Sequence, residues 1–448
     1  MFKNSSKFIL YYSAFVASIS GFLFGFDTVV ISGAEQTIQK IWQLNSFIHG
    51  LTISSALWGT VLGALIGGIP TEHWGRKKSL ILVGFLYFIS AIGSAIATDV
   101  YILIAFRFIG GLGIGLSTIA APLYLTEISP ADKRGKLTGM FQFNIVLGIL
   151  IAFISNALLR QLGPDSWRYM LGVLAIPSFF YFLLCFGLPE SPRWLIVHRK
   201  NTANAFEIFS KLNPLATNIE ITNLVNSIST AVIEQKNKIP FFTKSLSKPI
   251  LLAFFIAFFN QLSGINAILY FAPRIFELTG LAQDTALLQT VGIGLVNLVF
   301  TLLGLWLIDK LGRKTLLYIG SFGYIISLGL CSYSFATEFV TLVPYCIFAF
   351  IAAHAIGQGA VIWVFISEIF PNQYRDAGQT LGSFTHWFFA ALLTLFFPKM
   401  VELFSPTLIF GFFCLLMLFQ LIWVKIWVPE TKGISLESME NELQYSKK

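Results

Sequence analysis

Twelve stretches of this chain are each long and apolar enough to cross a lipid bilayer, which leaves little freedom in how it can fold. A bilayer's hydrocarbon core is about 30 Å thick, and roughly 20 apolar residues rising ~1.5 Å apiece span it as a helix. Inside that core no water can serve the backbone N–H and C=O groups, so the chain must satisfy them within each segment. Runs of this kind lie near residues 8–30, 50–70, 79–98, 101–126, 138–159 and 168–188. Six more lie near 250–275, 286–308, 315–336, 340–367, 378–401 and 406–428. Hydrophobic residues make up 56% of the 448 and charged residues 12%, with mean hydropathy +0.75, values foreign to a water-soluble globule of this length.

The two sets of six echo each other. Glu127-Ile-Ser-Pro-Ala-Asp-Lys-Arg134 returns as Glu368-Ile-Phe-Pro-Asn-Gln-Tyr-Arg375, with acid, proline and arginine at the same offsets. Gly75-Arg76-Lys77 returns as Gly312-Arg313-Lys314, and Pro189-Glu190 returns as Pro429-Glu430. The separations, 241, 237 and 240 residues, agree closely enough to imply a tandem duplication in one orientation. The expectation is an all-α membrane protein of twelve transmembrane helices in two six-helix halves, 1–188 and 250–448. Residues 189–249 join them as a linker. Within it Ala205, Phe206, Phe209 and Leu212 recur at helical spacing, and Ile219, Leu224 and Ile228 do so more weakly, suggesting short amphipathic helices; a disordered tether is the alternative. Ser435 to Leu443 has a similar amphipathic pattern.

The net charge of +8 would point to nucleic acid in a soluble protein, but its distribution gives another reading. With both termini in the cytoplasm, 24 of the 30 Lys and Arg fall on the inside, leaving Lys40, Arg160, Arg168, Arg274 and Lys399 outside and Arg107 within the membrane. This is the positive-inside asymmetry, so the partner is the lipid bilayer and no nucleic acid is expected. Lys3 and Lys7 ahead of an apolar run resemble a secretory signal, yet the run continues to Ile31, so the start is read as a retained first helix. Cys185, Cys331, Cys346 and Cys414 all fall in spans and read as buried apolar fillers; no spacing suggests a metal, and no cofactor is expected.

Polar residues at membrane depth stand out. Asp27 and Arg107, on the first and fourth spans, are obvious partners, since an isolated charge there costs at least a few kcal/mol. A static structural pair is the bland alternative. Asn260, Gln261, Asn266 and Tyr270 fall on the seventh span, where Gly264 is expected to break the helix and let more of them converge. Side-chain amides present donors and acceptors together, and they also glue membrane helices. Glu127 and Glu368 each precede an arginine by seven residues across a proline, so pairing along one straight helix is excluded. That arginine must turn back or reach a neighbour.

In this order and spacing, Gly25-Phe-Asp27, the two Gly-Arg-Lys turns, Glu127 to Arg134, PESPRWL at 189–195, Gln261 through Pro273, Glu368 to Arg375 and PETKG at 429–433 make the chain resemble the sugar porter family of the major facilitator superfamily. The pattern is most similar to bacterial proton-coupled sugar symporters of D-xylose type. The resemblance implies proton coupling at Asp27 with Arg107, and sugar contact by Gln142, Asn260, Gln261, Asn266, Tyr270, Asn297, Trp363, His386 and Trp387. It also implies that Glu127 and Glu368 bridge to Arg76, Arg134, Arg313 and Arg375 as gating salt bridges. Gly359-Ala360, where relatives often have Gly-Pro, and His386, where relatives carry an amide, depart from the pattern and weaken any transfer of sugar identity.

The expected function is import of a monosaccharide with a proton by alternating access across a plasma (bacterial inner) membrane. An uncoupled facilitator is the runner-up, and a transporter-like sugar sensor the reading from another class. A polytopic enzyme is disfavoured, because no nucleophile and base or metal cluster appears at membrane depth. The topology makes a direct prediction. Single cysteines at Asn237 and Ser446 should resist an impermeant thiol reagent applied to intact cells and react only after permeabilisation; strong labelling of either in intact cells would reverse the orientation.

Overall fold

The computed structural model describes residues 2–130, 133–213, 216–234 and 240–434. Twelve helical segments among them are long and apolar enough to span a membrane. The first six are Phe8–Gly33, Ser46–Ile66, Arg76–Ala95, Val100–Ile128, Arg134–Leu162 and Ser166–Cys185. The second six are Lys244–Tyr270, Gln283–Leu311, Arg313–Ala336, Val340–Ile369, Arg375–Leu403 and Pro406–Trp427. Each coincides with one of the apolar runs, and no strand occurs among the described residues. The pattern at Ser435 to Leu443 lies outside them.

Packing groups the chain into two compact units. One comprises Met1–Asp27, Gly59–Gly148 and Leu171–Ile239; the other comprises Thr28–Trp58, Ile149–Met170 and Pro240–Lys448. In the first unit the second span lays Gly59, Gly63 and Gly67, one per turn, against the fourth. A Cβ at Gly59 would stand 2.2 Å from the Phe108 carbonyl oxygen, and one at Gly63 would stand 2.6 Å from that of Leu112. Small residues at this spacing let helix backbones touch, which in lipid supplies the packing that hydrophobicity cannot.

The same unit carries three linker helices, Pro192–Arg199, Thr202–Leu212 and Asn218–Glu234. Ser191 caps the first by accepting from the Trp194 amide, and the Trp194 indole donates to the Glu72 carbonyl at 2.6 Å, pinning the group beneath the span ends. Their shared core is Ile196, Ala205, Phe209, Ile221 and Val225. The expected stripe of the last helix is corrected here: Ile219 and Leu224 are exposed, while Ile221 and Val225, with Ile228, form the buried i, i+4, i+7 face.

In the second unit the seventh span is interrupted. Ser247–Leu262 stops, Gly264 takes φ +90°, and Ile265–Tyr270 resumes in a new direction. A side chain at Gly264 would also strike the Phe413 ring at 2.8 Å, so the break needs glycine for two reasons. A second interruption, at Phe271, precedes Ala272–Glu277. The tenth span breaks too, at Gly357, between Val343–Ile356 and Gln358–Ile369.

Candidate functional site

The first unit holds the buried acid and base. Arg107 Nη1 lies 2.6 Å from Asp27 Oδ1, and Nη2 donates to the Asp27 carbonyl at 3.1 Å. Each residue is 1% exposed. Asp27 Oδ2 and Arg107 Nε have no hydrogen-bond partner among the described residues, so the pair is joined through one carboxylate oxygen and leaves the other uncommitted. A fully buried ion pair with unused hydrogen-bonding capacity is a poor structural staple, because desolvation offsets much of its attraction. It is well suited to accept a proton.

In the second unit the broken seventh span aligns a chain of amides. Asn266 Nδ2 donates to Gln261 Oε1 at 2.6 Å, Gln261 Nε2 to Asn260 Oδ1 at 2.8 Å, and Asn260 Nδ2 to Gln358 Oε1 at 3.4 Å. Gln261 Nε2 also lies 3.1 and 3.2 Å from the two ring nitrogens of His386. The His386 ring is flanked by Trp363 and Trp387, with centroids 5.1 and 4.6 Å away. Tyr270 is fully buried, on the same resumed helix as Asn266. Two expected residues stand apart from the chain. Asn297 Oδ1 accepts from Thr301 one turn along its own helix, at 3.4 Å, and Gln142, half-buried, lies on the fifth span in the first unit.

The duplicated motifs form two near-identical ties. Arg76 grips Glu127 with Nε at 2.9 Å and Nη2 at 2.8 Å, and Arg313 grips Glu368 with Nε at 3.0 Å and Nη2 at 2.7 Å. Each arginine opens a span whose first amides bind a third carboxylate: Arg76 and Lys77 donate to Glu190, Arg313 and Lys314 to Glu430. A carboxylate is favoured there by the free N–H groups and positive end of the helix dipole. Gly75 and Gly312, at φ +100° and +91°, make the turn, and a Cβ on either would collide with that carboxylate at 2.3 or 2.5 Å. Ser191 and Thr431 complete the ties by donating to Glu127 and Glu368.

The pairing implied for the other two arginines is not seen. Arg134 is exposed, and neither it nor Arg375 joins an ion pair among the described residues; Arg375 Nε turns back to the Ser367 carbonyl at 3.0 Å. The acids are held instead by Arg76 and Arg313. Glu190, Glu430 and Gln358 were not singled out from the sequence as site residues. The first two had a signal, their repeat at an offset of 240; Gln358 had only the unusual Gly357-Gln358 pair.

Twelve broken and unbroken spans, a buried acid–base pair, a polar cluster at membrane depth and duplicated helix-end ties define a secondary transporter of the major facilitator superfamily, not an enzyme. The family model for "Sugar (and other) transporter" matches residues 13–443, and the chain belongs to that family. It is 35% identical to the arabinose-proton symporter of Bacillus subtilis over 447 residues, covering 98% of this chain and 95% of the relative. It is 33% identical to the D-xylose-proton symporter of Escherichia coli K12, covering 95% and 94%. The solved inward-open structure of the xylose transporter XylE from E. coli superposes with TM-score 0.85 at 30% identity, covering 97% of this chain and 99% of that one.

The two tie carboxylates outside the membrane should titrate in opposite directions. Burial pushes Glu190 above the usual glutamate range despite donors from Ser191, Lys77 and Arg76. Glu430 also feels burial, but donors from Lys432, Arg313, Lys314 and Thr431 outweigh it and hold it below that range. As pH falls, Glu190 therefore takes its proton first, and the Arg76 and Lys77 amides lose their charged acceptor at higher pH than those of Arg313 and Lys314. Hydrogen exchange, corrected for intrinsic rate across about pH 3–7, should show protection failing in that order; the reverse would contradict it.

Proposed function

We propose that this protein is a proton-coupled monosaccharide importer working by alternating access in a bacterial inner membrane. Its termini and the helices of 189–249 face the cytoplasm, and its two six-helix halves are 1–188 and 250–448. The observation that carries the coupling is the Asp27–Arg107 pair, fully buried and joined through only one carboxylate oxygen. The names of the relatives, symporters of arabinose and D-xylose with protons, support the same reading.

In the cycle, ionised Asp27 pairs with Arg107. A proton from outside goes to the carboxylate, cancels its charge and weakens its hold on the guanidinium. Sugar docks on Gln261, Asn260, Asn266 and His386, its apolar C–H faces against Trp363 and Trp387. Tyr270, Asn297 and Gln142 complete the contacts as the carrier closes. The Arg76–Glu127 and Arg313–Glu368 ties separate to open the cytoplasmic end, and the proton leaves where pH is higher. Arg134 and Arg375, one loop beyond these ties, find acidic partners only in another state of the cycle. Such ties suit a gate because they are partly desolvated yet can part without unpacking apolar surface.

Two substitutions test this reading. Asp27→Asn mimics the protonated acid but can never release a proton. It should abolish uphill accumulation and sugar-driven alkalinisation of the medium while retaining sugar binding and equilibrium exchange in proteoliposomes. A mutant that still concentrates sugar would remove Asp27 from coupling, and a wild type that never exceeds equilibrium would make the protein a facilitator. Gln261→Ala strands both its amide and hydroxyl partners, costing about 1–3 kcal/mol, or roughly five- to hundredfold in affinity, whereas Gln235→Ala in the linker should change nothing. Calorimetry on purified protein reads this, and normal binding by Gln261→Ala of every transported sugar would misplace the site.

A further inference from the structure

The sequence left Arg274 as a lone base on the outer side and gave Glu35 no role. In the second unit they meet. The Glu35 carboxylate, wholly buried, accepts from Arg274 Nε at 3.1 Å and Nη2 at 2.9 Å, and its Oε2 lies 2.9 Å from Nε2 of His49, itself wholly buried. Arg274 Nη2 also donates to Gln39 at 2.5 Å, and Gln36 Nε2 to Glu277 at 2.9 Å. The short helix Glu35–Ile41 is thereby laced to Ala272–Glu277. Both pieces follow an interruption: Ile31–Gly33 is a 3-10 turn beyond the first span, and Phe271 breaks the chain beyond the seventh.

Three Arg–Glu forks now stand on the page, and their placement differs. The first and seventh spans start on the same side and end, at Gly33 and Tyr270, on the other. The Arg76–Glu127 and Arg313–Glu368 forks follow even-numbered spans and lie on the starting side; the Glu35–Arg274 fork lies on the opposite one. It also has no duplicate, because the partners' counterparts some 240 residues away are Ile275 and Ala34. The guanidinium, with a side chain 23% exposed, meets water at the rim while its acid is sealed, so the fork can part from one side.

We infer that Glu35 and Arg274, with His49 as the acid's second partner, form the latch that closes the outer end of the carrier and must open for sugar to enter. The assignment rests on the transport reading and gives it an outer gate formed from residues outside the duplication. Removing either charge strands the other and favours the open state.

The test uses the full chain in proteoliposomes with its four cysteines replaced and spin labels at Lys40→Cys and Ala282→Cys, both exposed and in this unit. Electron–electron double resonance should give one dominant short distance in the wild-type background. Glu35→Gln and Arg274→Gln should each raise the long-distance fraction by roughly threefold or more, and the swap Glu35→Arg with Arg274→Glu should return it toward wild type. Two results would overturn the latch: unchanged distances in both single variants while they still exchange sugar, or a wild type that exchanges sugar and never populates the longer distance. That second measurement needs no substitution at the latch and holds even if the single variants do not fold. A wild type that exchanges no sugar at all, yet shows both distances responding to the two substitutions, would sink the transport reading and leave the latch standing.

Discussion

A polar group left unpaired at membrane depth has no water to fall back on, and two departures from regular helix, in the seventh and tenth spans, sit where that constraint meets polar side chains. Twelve spans satisfy their backbone internally. Where the seventh and tenth spans break, at Gly264 and Gly357, the adjoining turns carry Asn260, Gln261, Asn266 and Gln358, the members of the amide chain. Unbroken, the seventh helix would turn Asn260 and Asn266 to different faces; broken, they meet through Gln261. Irregular backbone at this depth is tolerated where protein or a water-filled path surrounds it, which is also where a solute can be held.

The duplicated ties show what is kept between two copies of an ancestral unit. Glycine at positive φ, arginine in the first helical turn, a glutamate at the end of the following span and a second glutamate on the helix amides recur within 237 to 241 residues and within about 0.2 Å per contact. Each part makes sense only with the others. The glycine leaves room for the carboxylate, the carboxylate satisfies free amides, and the arginine, held by the Thr71 or Ile308 carbonyl as well, aims its fork at Glu127 or Glu368; in the second copy Arg313 also donates to Asp309. Deeper burial of Glu190, together with the added Lys432 amide on Glu430, shifts the two carboxylates to opposite sides of the usual range.

Much of this was legible from residues alone. Apolar runs located all twelve spans, Gly264 announced the helix break, and Asp27 with Arg107 announced their pairing because nothing else charged lies so deep in those spans. The limits are equally physical. Residues seven apart across a proline could not be assigned partners by spacing, so Arg134 and Arg375 looked equivalent to Arg76 and Arg313; only three-dimensional proximity shows that the arginines opening the third and ninth spans reach the acids that end the fourth and tenth. Register failed on the Asn218–Glu234 helix because Ile219, Ile221, Leu224 and Val225 offer two competing apolar faces, and neighbours, not periodicity, choose between them. Glu35 was invisible for a simpler reason. A single acid just past a span end is ordinary, and its burial depends on Arg274, 239 residues away.

The asymmetry between the two ends follows from what each must do. The ties on the starting side each join spans within one half of the sequence, so a single duplication supplies both. An outer closure instead has to join segments that belong to different halves of the sequence, Glu35 and His49 in the first and Arg274 in the second, and a contact between unlike segments cannot be generated by copying one half. It has to arise once, from residues free to vary. The same logic applies to the working residues: the acid–base pair lies only in the first half, the amide chain only in the second. Duplication supplies the scaffold on which unlike functions are placed, and the unrepeated charges and amides are where this chain departs from a symmetric carrier.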